Sequence, residues 1–350
     1  MNQKCPRVLF ILKRHECYGS GLDRSSGLQN SAEFVSEMLV AAGLESKTVT
    51  VVDNNDVDRE VSRYRPDVAM IEALWIVPEK FDVLKRLHPN VKWVVRVHSK
   101  LPFLAHEGCA LGWLRGYGSR GVVIAPNSDV MCRDLAGLNL QPVYLPNCYP
   151  DRFLSVKKAG SCRGELHVGC FGAIRPMKNH LLQAVAAVEF ADLNGSRLWF
   201  HVNVSRLENG GANVAKNLRA LFSVGRHQLV EHDWEEHEKF LGLLDEMDAV
   251  MSVSFSETFS IVTADAVSRQ VPVVTSPEID WTDPRVQADP TNVQDVIAKM
   301  TVALNKAERI GKSNVKRLQA FSARARSAWL AYLTGEKQTT WRERFFNASL

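Results

Sequence analysis

The chain has 350 residues, of which 45% are hydrophobic and 23% charged, with a formal net charge of +4; this is globular composition, which excludes a disordered or collagen-like chain, and the length predicts two domains with a core each. Seven cysteines without a C-x-x-C pair predict reduced thiols rather than a disulfide frame or a zinc site. The opening apolar run, Val8–Leu12, is too short for a signal-peptide core or a membrane span, so a cytoplasmic chain without integral membrane association is expected. The positive charge is gathered at the end: from residue 301 onward there are ten Lys/Arg against three Asp/Glu, a tail suited to phosphates or simply to water.

In chain order, Val8–Leu12 reads as a strand, followed by a Gly19-Ser20-Gly21 loop and a helix over Ser31–Ala42. Strands are predicted at Thr48–Val52, Val68–Ile71, Val91–Val97 and Val122–Ala125, with helices at Asp56–Tyr64, Pro78–Leu87, Phe103–Tyr117 and Ser128–Gly137. Such alternation predicts a parallel, doubly wound sheet, because parallel strands need crossovers and these are usually helical. Three prolines between Pro142 and Phe153 mark a hinge. The alternation then restarts. Strands are predicted at His167–Phe171, Leu198–Val204, Ala249–Val253 and Val271–Thr275. Helices are predicted at Asn179–Ala191, Val214–Phe222, His237–Leu244, Val293–Ala307 and Val315–Leu333. The expected α/β architecture is therefore two tandem Rossmann-like domains, residues 1–148 and 149–334, with the ligand cleft between them and a tail, 335–350, docking back on the first.

The chemistry concentrates in the second half. The strand Ala249–Val253 empties into a polar turn holding Glu257, and Asp265 follows with seven residues between. Two carboxylates around the start of a helix can take sugar and ribose hydroxyls, while the helix N-terminus, through Thr258, Phe259 and Ser260, offers backbone N–H groups to phosphate. Upstream, Gly172-Ala-Ile-Arg-Pro-Met-Lys-Asn places Arg175 and Lys178 where a diphosphate would sit. Asn203 and Arg206, after another strand, are expected at the rim of the same cleft. In the first half, Val94-Val-Arg-Val-His-Ser-Lys100 ends a strand on His98, with Arg96 and Lys100 on the acceptor side and Glu16 a candidate to orient an acceptor hydroxyl. Gly19, Ser20 and Gly21 lack the G-x-G-x-x-G spacing of a dinucleotide site and suit a loop approaching donor phosphate. Asp56-Val-Asp58 opens a predicted helix, and no metal role is expected for it.

These motifs resemble the GT-B glycosyltransferases of the large retaining group called family 4. That family carries a Gly-Arg-…-Lys-Gly turn, then two Glu separated by seven residues, then a Gly-x-Pro-Val-Val strand; its hinge reads Pro-Asn-Gly-x-Asp. The corresponding stretches here are Gly172–Asn179, Glu257 with Asp265, Gln270-Val-Pro-Val-Val274, and Pro146-Asn-Cys-Tyr-Pro-Asp151. This chain departs from the pattern at Ala173, where the family has Arg, at Thr258 and Ser260, where it has glycines, and at Asp265, a shortened Glu. The resemblance implies that Glu257 holds donor-sugar hydroxyls and Asp265 the ribose, that Arg175 and Lys178 neutralise the diphosphate, and that His98 touches sugar or acceptor. It implies a nucleoside-diphosphate sugar (UDP or GDP type) as donor, with no metal and no permanently bound cofactor. Compact virus-encoded members look most similar, which makes a hydroxymethylated DNA base the leading acceptor and DNA a possible partner, in a host cytoplasm. Transfer to a surface polysaccharide or lipid-linked sugar, and a non-catalytic nucleotide-binding protein, stay open beside it.

Overall fold

The computed structural model describes residues 6–14, 27–151 and 164–335. The chain divides into two compact units: one gathers the opening strand, Leu28–Pro150 and the chain from Phe321 onward, the other runs from Asp151 to Ala320. Each is built on a five-stranded parallel sheet.

In the first unit the strands are β1 (Arg7–Lys13), β2 (Glu45–Val51), β3 (Val68–Glu72), β4 (Lys92–Val97) and β5 (Val123–Pro126), in the order β2-β1-β3-β4-β5. The interior strands read as unbroken apolar runs because helices cover both faces of a parallel sheet; Val8, Leu9, Phe10 and Ile11 of β1 are all fully buried. At the edge, β2 (ESKTVTV) is mostly polar and only part-buried. The helix expected over Phe103–Tyr117 is two helices, Leu101–Leu104 and Ala110–Ser119. The polar His106-Glu107-Gly108 between them supplies no apolar side to pack, and its glycine lowers helix propensity further. Conversely, the break expected before Val315 is absent: Ala307–Thr334 is one helix. Its end belongs to the first unit, where Trp329 is fully buried, its ring centroid 5.7 Å from that of Phe10, and its Nε1 donates to the Pro146 carbonyl at 2.8 Å. Residues 336–350 of the expected docking tail lie outside the described residues.

The second unit holds β6 (Glu165–Gly169), β7 (Arg197–Asn203), β8 (Gln228–His232), β9 (Ala249–Ser252) and β10 (Val273–Thr275), in the order β10-β9-β6-β7-β8. Strand β8 has no counterpart among the predicted elements. Its sequence QLVEH is half polar because it is an edge strand that buries little. The order reverses between β6 and β9, and at such a switch the loops leaving the carboxyl ends of the two strands diverge and leave a crevice.

Three histidines on neighbouring strands form a hydrogen-bonded row: His167 Nδ1 lies 3.0 Å from His201 Nε2, and His201 Nδ1 lies 2.8 Å from His232 Nε2. Burial, with His232 and His167 alongside, pushes His201 down to about 3. His180, buried with neither ring nitrogen hydrogen-bonded among the described residues, is likewise pushed to about 3 by burial and then by Lys178 and Arg175. A histidine with a depressed folded pKa contributes stability that is complete above its unfolded value of about 6.5 and lost as pH falls toward 3. Lowering the pH from 7.5 to 5.5 is therefore expected to destabilise the fold by about 1.4 kcal/mol for each of the two. Thermal melts across that range check it; a flat melting temperature would contradict the assignment.

Candidate functional site

Two loops leave the switch point, one after β6 and one after β9. The first turns at Gly172, whose φ of +107° is a glycine conformation, and whose N–H donates to Asn203 Oδ1 at 3.0 Å. It continues through a short 3₁₀ turn, Pro176–Lys178, into the helix His180–Leu193. Buried amides stitch it to the second loop. Asn179 Nδ2 donates to the Val253 and Pro290 carbonyls at 3.1 and 2.8 Å. Gln183 accepts from Val253 N–H and donates to the Lys178 carbonyl, both at 2.8 Å. Phe255 N–H donates to the Met177 carbonyl at 3.0 Å. The outcome is an ion pair at the switch point, Lys178 Nζ on Glu257 Oε2. Glu257 Oε1 accepts from the Thr258 N–H at 3.0 Å. Burial acts to raise the Glu257 carboxyl, but Lys178, Arg175 and that N–H outweigh it and hold it below the ordinary carboxylate value. Glu257 is therefore ionised at neutral pH.

Beside this pair, Glu208 gathers the two arginines singled out in the sequence: Arg175 Nη1 lies 2.9 Å from its Oε2 and Arg206 Nε 2.6 Å from its Oε1. Burial opposes ionisation of Glu208 and the two guanidiniums prevail. The loop carrying Glu208 is pressed against the first turn. Ile174 N–H donates to the Arg206 carbonyl, Glu208 N–H to the Ile174 carbonyl, and a Cβ on Gly211 would fall 2.0 Å from the Ile174 oxygen. These bonds bring Asn203 and Arg206 together with Gly172 and Arg175, and Arg206 also lies over the Trp234 ring at 5.2 Å.

The helix Ile261–Ser268 begins at Ser260, whose hydroxyl accepts from Thr263 N–H. Asp265 is buried within it, Oδ1 lying 2.8 Å from His237 Nε2. Phe259 is enclosed, its ring against Trp281 and its carbonyl accepting from Trp281 Nε1 at 2.8 Å. The side chain of Phe259 is therefore part of the core. Asn179, Ser260 and Gln270 stand where the resembling family has glycines, and all three adopt positive φ, at 59°, 60° and 57°. The backbone keeps a glycine shape that the side chains conceal. Only Asn among the three tolerates that region readily. Gln270→Gly, just past the helix C-terminus, is expected to stabilise the fold by about 1 kcal/mol. Ser260→Gly exchanges strain relief for a lost cap and should change stability little. Denaturant melts of the two variants check this, and a destabilised Gln270→Gly would contradict it.

In the first unit, His98 Nε2 lies 2.6 Å from Glu72 Oε2, and Asn127 Nδ2 lies 3.3 Å from His98 Nδ1. Glu72 is fully buried and held below its usual value: burial opposes this, while Arg96 and His98 prevail. An ionised Glu72 only accepts, so Nε2 carries the proton and Nδ1 accepts from Asn127. Burial also lowers His98, leaving it neutral at pH 7. Arg96, expected on the acceptor side, is fully enclosed: it donates to both Glu72 oxygens at 3.0 Å, to Asn147 Oδ1 at 2.8 Å and to the Leu145 carbonyl at 3.3 Å. No acceptor substrate reaches it. Lys100 is largely buried at the start of Leu101–Leu104. Glu16, Gly19, Ser20 and Gly21 lie outside the described residues. Sequence reasoning missed Glu72, Glu208, His237, Asn179 and Gln183; only Asn179, next to Lys178 in the glycine position of the motif, carried a signal.

The two parallel sheets and their strand orders are those of the GT-B fold. No protein-family model matches the sequence, and no curated protein does. Solved structures do match in fold. Sucrose-phosphate synthase from Thermosynechococcus elongatus is 14% identical, with a TM-score of 0.68 over 98% of this chain and 100% of its own. A glycosyltransferase from Rickettsia africae is 12% identical, with a TM-score of 0.65 over 96% and 100%. HepE from Anabaena, solved in complex with UDP and glucose, is 12% identical, with a TM-score of 0.60 over 91% and 95%. Among the described residues no helix is long and apolar enough to cross a membrane.

Proposed function

We propose that the chain is a retaining glycosyltransferase that takes a sugar from a nucleoside-diphosphate sugar, of UDP type, and passes it to an acceptor hydroxyl. The observation that carries the reading is the Lys178–Glu257 pair, with Arg175 beside it, on the two loops leaving the switch point of the second unit. That is where a doubly wound sheet binds ligands. The fold shared with HepE, a protein solved with UDP and glucose, supports the same donor class.

In this reading the diphosphate lies along Lys178 and Arg175, Glu257 takes sugar hydroxyls and Asp265 the ribose. The bond from the sugar C1 to the diphosphate oxygen breaks, and its electron pair leaves with the diphosphate. Fixed cations stabilise that charge as it develops. The acceptor oxygen bonds to C1 on the face the diphosphate leaves, and its proton passes to the departing diphosphate oxygen. Buried Cys170 is no rival nucleophile, since burial pushes its thiol up to about 12. Donor hydrolysis measured across a panel of nucleotide sugars tests the proposal. Turnover of at least one, lost in Glu257→Ala, is expected; no turnover of any, with Glu257→Ala binding donors as well as the parent, would sink it.

For the acceptor we propose a hydroxymethylated base in DNA, with charge as the support. Between Lys80 and Arg120 stand eight Lys/Arg against two acids, and two of the eight are already engaged. Arg96 is enclosed by Glu72, and Arg120 is paired with Asp82 and Glu79. Further cations that support the reading lie on the last helix.

A further inference from the structure

The helix Ala307–Thr334 is 28 residues long. Ile310, Asn314, Leu318, Phe321, Ala325 and Trp329 recur along it at three- and four-residue spacing and are buried, which defines its inner side. Arg309, Lys312, Lys316, Arg317, Arg324 and Arg326 are all exposed and fall on the remaining arc. Those in the second unit, Arg309 to Arg317, extend over about 12 Å at 1.5 Å per residue. The acid exposed among them is Glu308, which pairs with Lys312 at 2.5 Å.

Several cations on other helices of the chain have carboxylates one turn away, while exposed Arg86, Arg115 and Lys216 have no ion pair among the described residues. Arg59 pairs with Asp56, Arg63 with Glu60, Arg133 with Asp129 and Lys299 with Asp295. On this helix Arg309, Lys316, Arg317, Arg324 and Arg326 have no ion pair among the described residues. Arg309, Lys312 and Lys316 follow one another one turn apart, and like charges at that spacing repel. The same arc exposes no large apolar side chain, whereas a helix that lies in a lipid interface needs an apolar side to insert. Cations recurring along a rod-like surface without apolar anchors fit a regular phosphodiester polymer, which is contacted through its backbone charge.

We propose that the outer face of Ala307–Ala320, the part of this helix in the second unit, is a docking surface for the phosphate backbone of duplex DNA, contacted without regard to sequence. The surface deepens the DNA reading of the acceptor, but it is tested without transfer: DNA binding through this helix by a chain that glycosylates nothing would keep the surface and remove the acceptor reading. The experiment is fluorescence anisotropy of the full chain with a labelled short duplex at a series of salt concentrations. The parent should bind at low salt, with affinity falling linearly on a log–log plot at about 0.9 per phosphate neutralised. The triple variant Arg309→Gln, Lys316→Gln, Arg317→Gln should bind at least tenfold more weakly, with a slope shallower by roughly 2 to 3. Glu308→Gln should bind more tightly. Arg59→Gln with Arg133→Gln, which removes paired cations from other helices, should bind like the parent. The proposal is overturned if a folded triple variant keeps the parent's affinity and slope, or if the parent ignores DNA. It is also overturned if the parent prefers phosphatidylserine vesicles to the duplex.

Discussion

Lys178→Ala is expected to lower donor turnover by about 10²- to 10³-fold, the loss typical of removing one fixed group that stabilises charge in a transition state. The magnitude follows from placement. Nζ is already held on Glu257 Oε2, so the cation needs no reorganisation when the diphosphate departs. Its backbone is fixed too, through the Gln183 bond to the Lys178 carbonyl and the left-handed Asn179 that follows. Lys178→Arg keeps the charge but presents a planar fork where lysine presents a compact ammonium, so partial rescue is expected. Steady-state kinetics on variants with unchanged circular dichroism would check this. A fall in kcat together with a rise in KM is the expected pattern, because the cation holds the bound diphosphate and holds it more strongly once the bond begins to break. Kinetics like the parent's would remove Lys178 from the chemistry.

The largest stability effect is expected at Glu72→Ala, at about 3–5 kcal/mol. Arg96 and Glu72 are both fully buried. Deleting the carboxylate leaves a guanidinium without its counter-charge where water cannot reach it. The remaining bonds to Asn147 and Leu145 satisfy hydrogens and do not neutralise charge. Replacing both members, as in Glu72→Met with Arg96→Met, should cost less than Glu72→Ala alone, since no charge is then stranded. Chemical denaturation of the three variants checks this order. Glu72→Ala melting like the parent would show that the pair is not what holds the first sheet. His98 should respond as well, because Glu72 fixes its tautomer.

The parts of the molecule legible in the sequence are those that depend on local pattern. Continuous apolar runs mark β1, β3 and β9, since strands covered on both faces have nothing polar to show. The spacing of Arg175, Lys178, Glu257 and Asp265 marks the loops at the switch of the second sheet. What escapes is long-range or masked. Strand β8 is too polar to stand out because it lies at an edge. Glu72 falls just past the strand predicted at Val68–Ile71, and only a partner 24 residues away, Arg96, gives it meaning. Arg96 is misplaced for the same reason: an arginine inside a strand shows its charge in the sequence but not its burial. Ser260 and Gln270 hide a glycine-shaped backbone behind ordinary side chains.

The central claim, that the loops after β6 and β9 seat a nucleoside diphosphate bearing a sugar, is tested most directly by calorimetric titration of the chain with UDP, UDP-sugars and uridine. Binding of UDP and of at least one UDP-sugar, weakened in both cases by Lys178→Ala, is predicted, with uridine unaffected by that change and Glu257→Ala weakening the sugar-bearing ligand alone. Absence of binding by any nucleoside diphosphate or its sugar, or binding indifferent to Lys178, would contradict it.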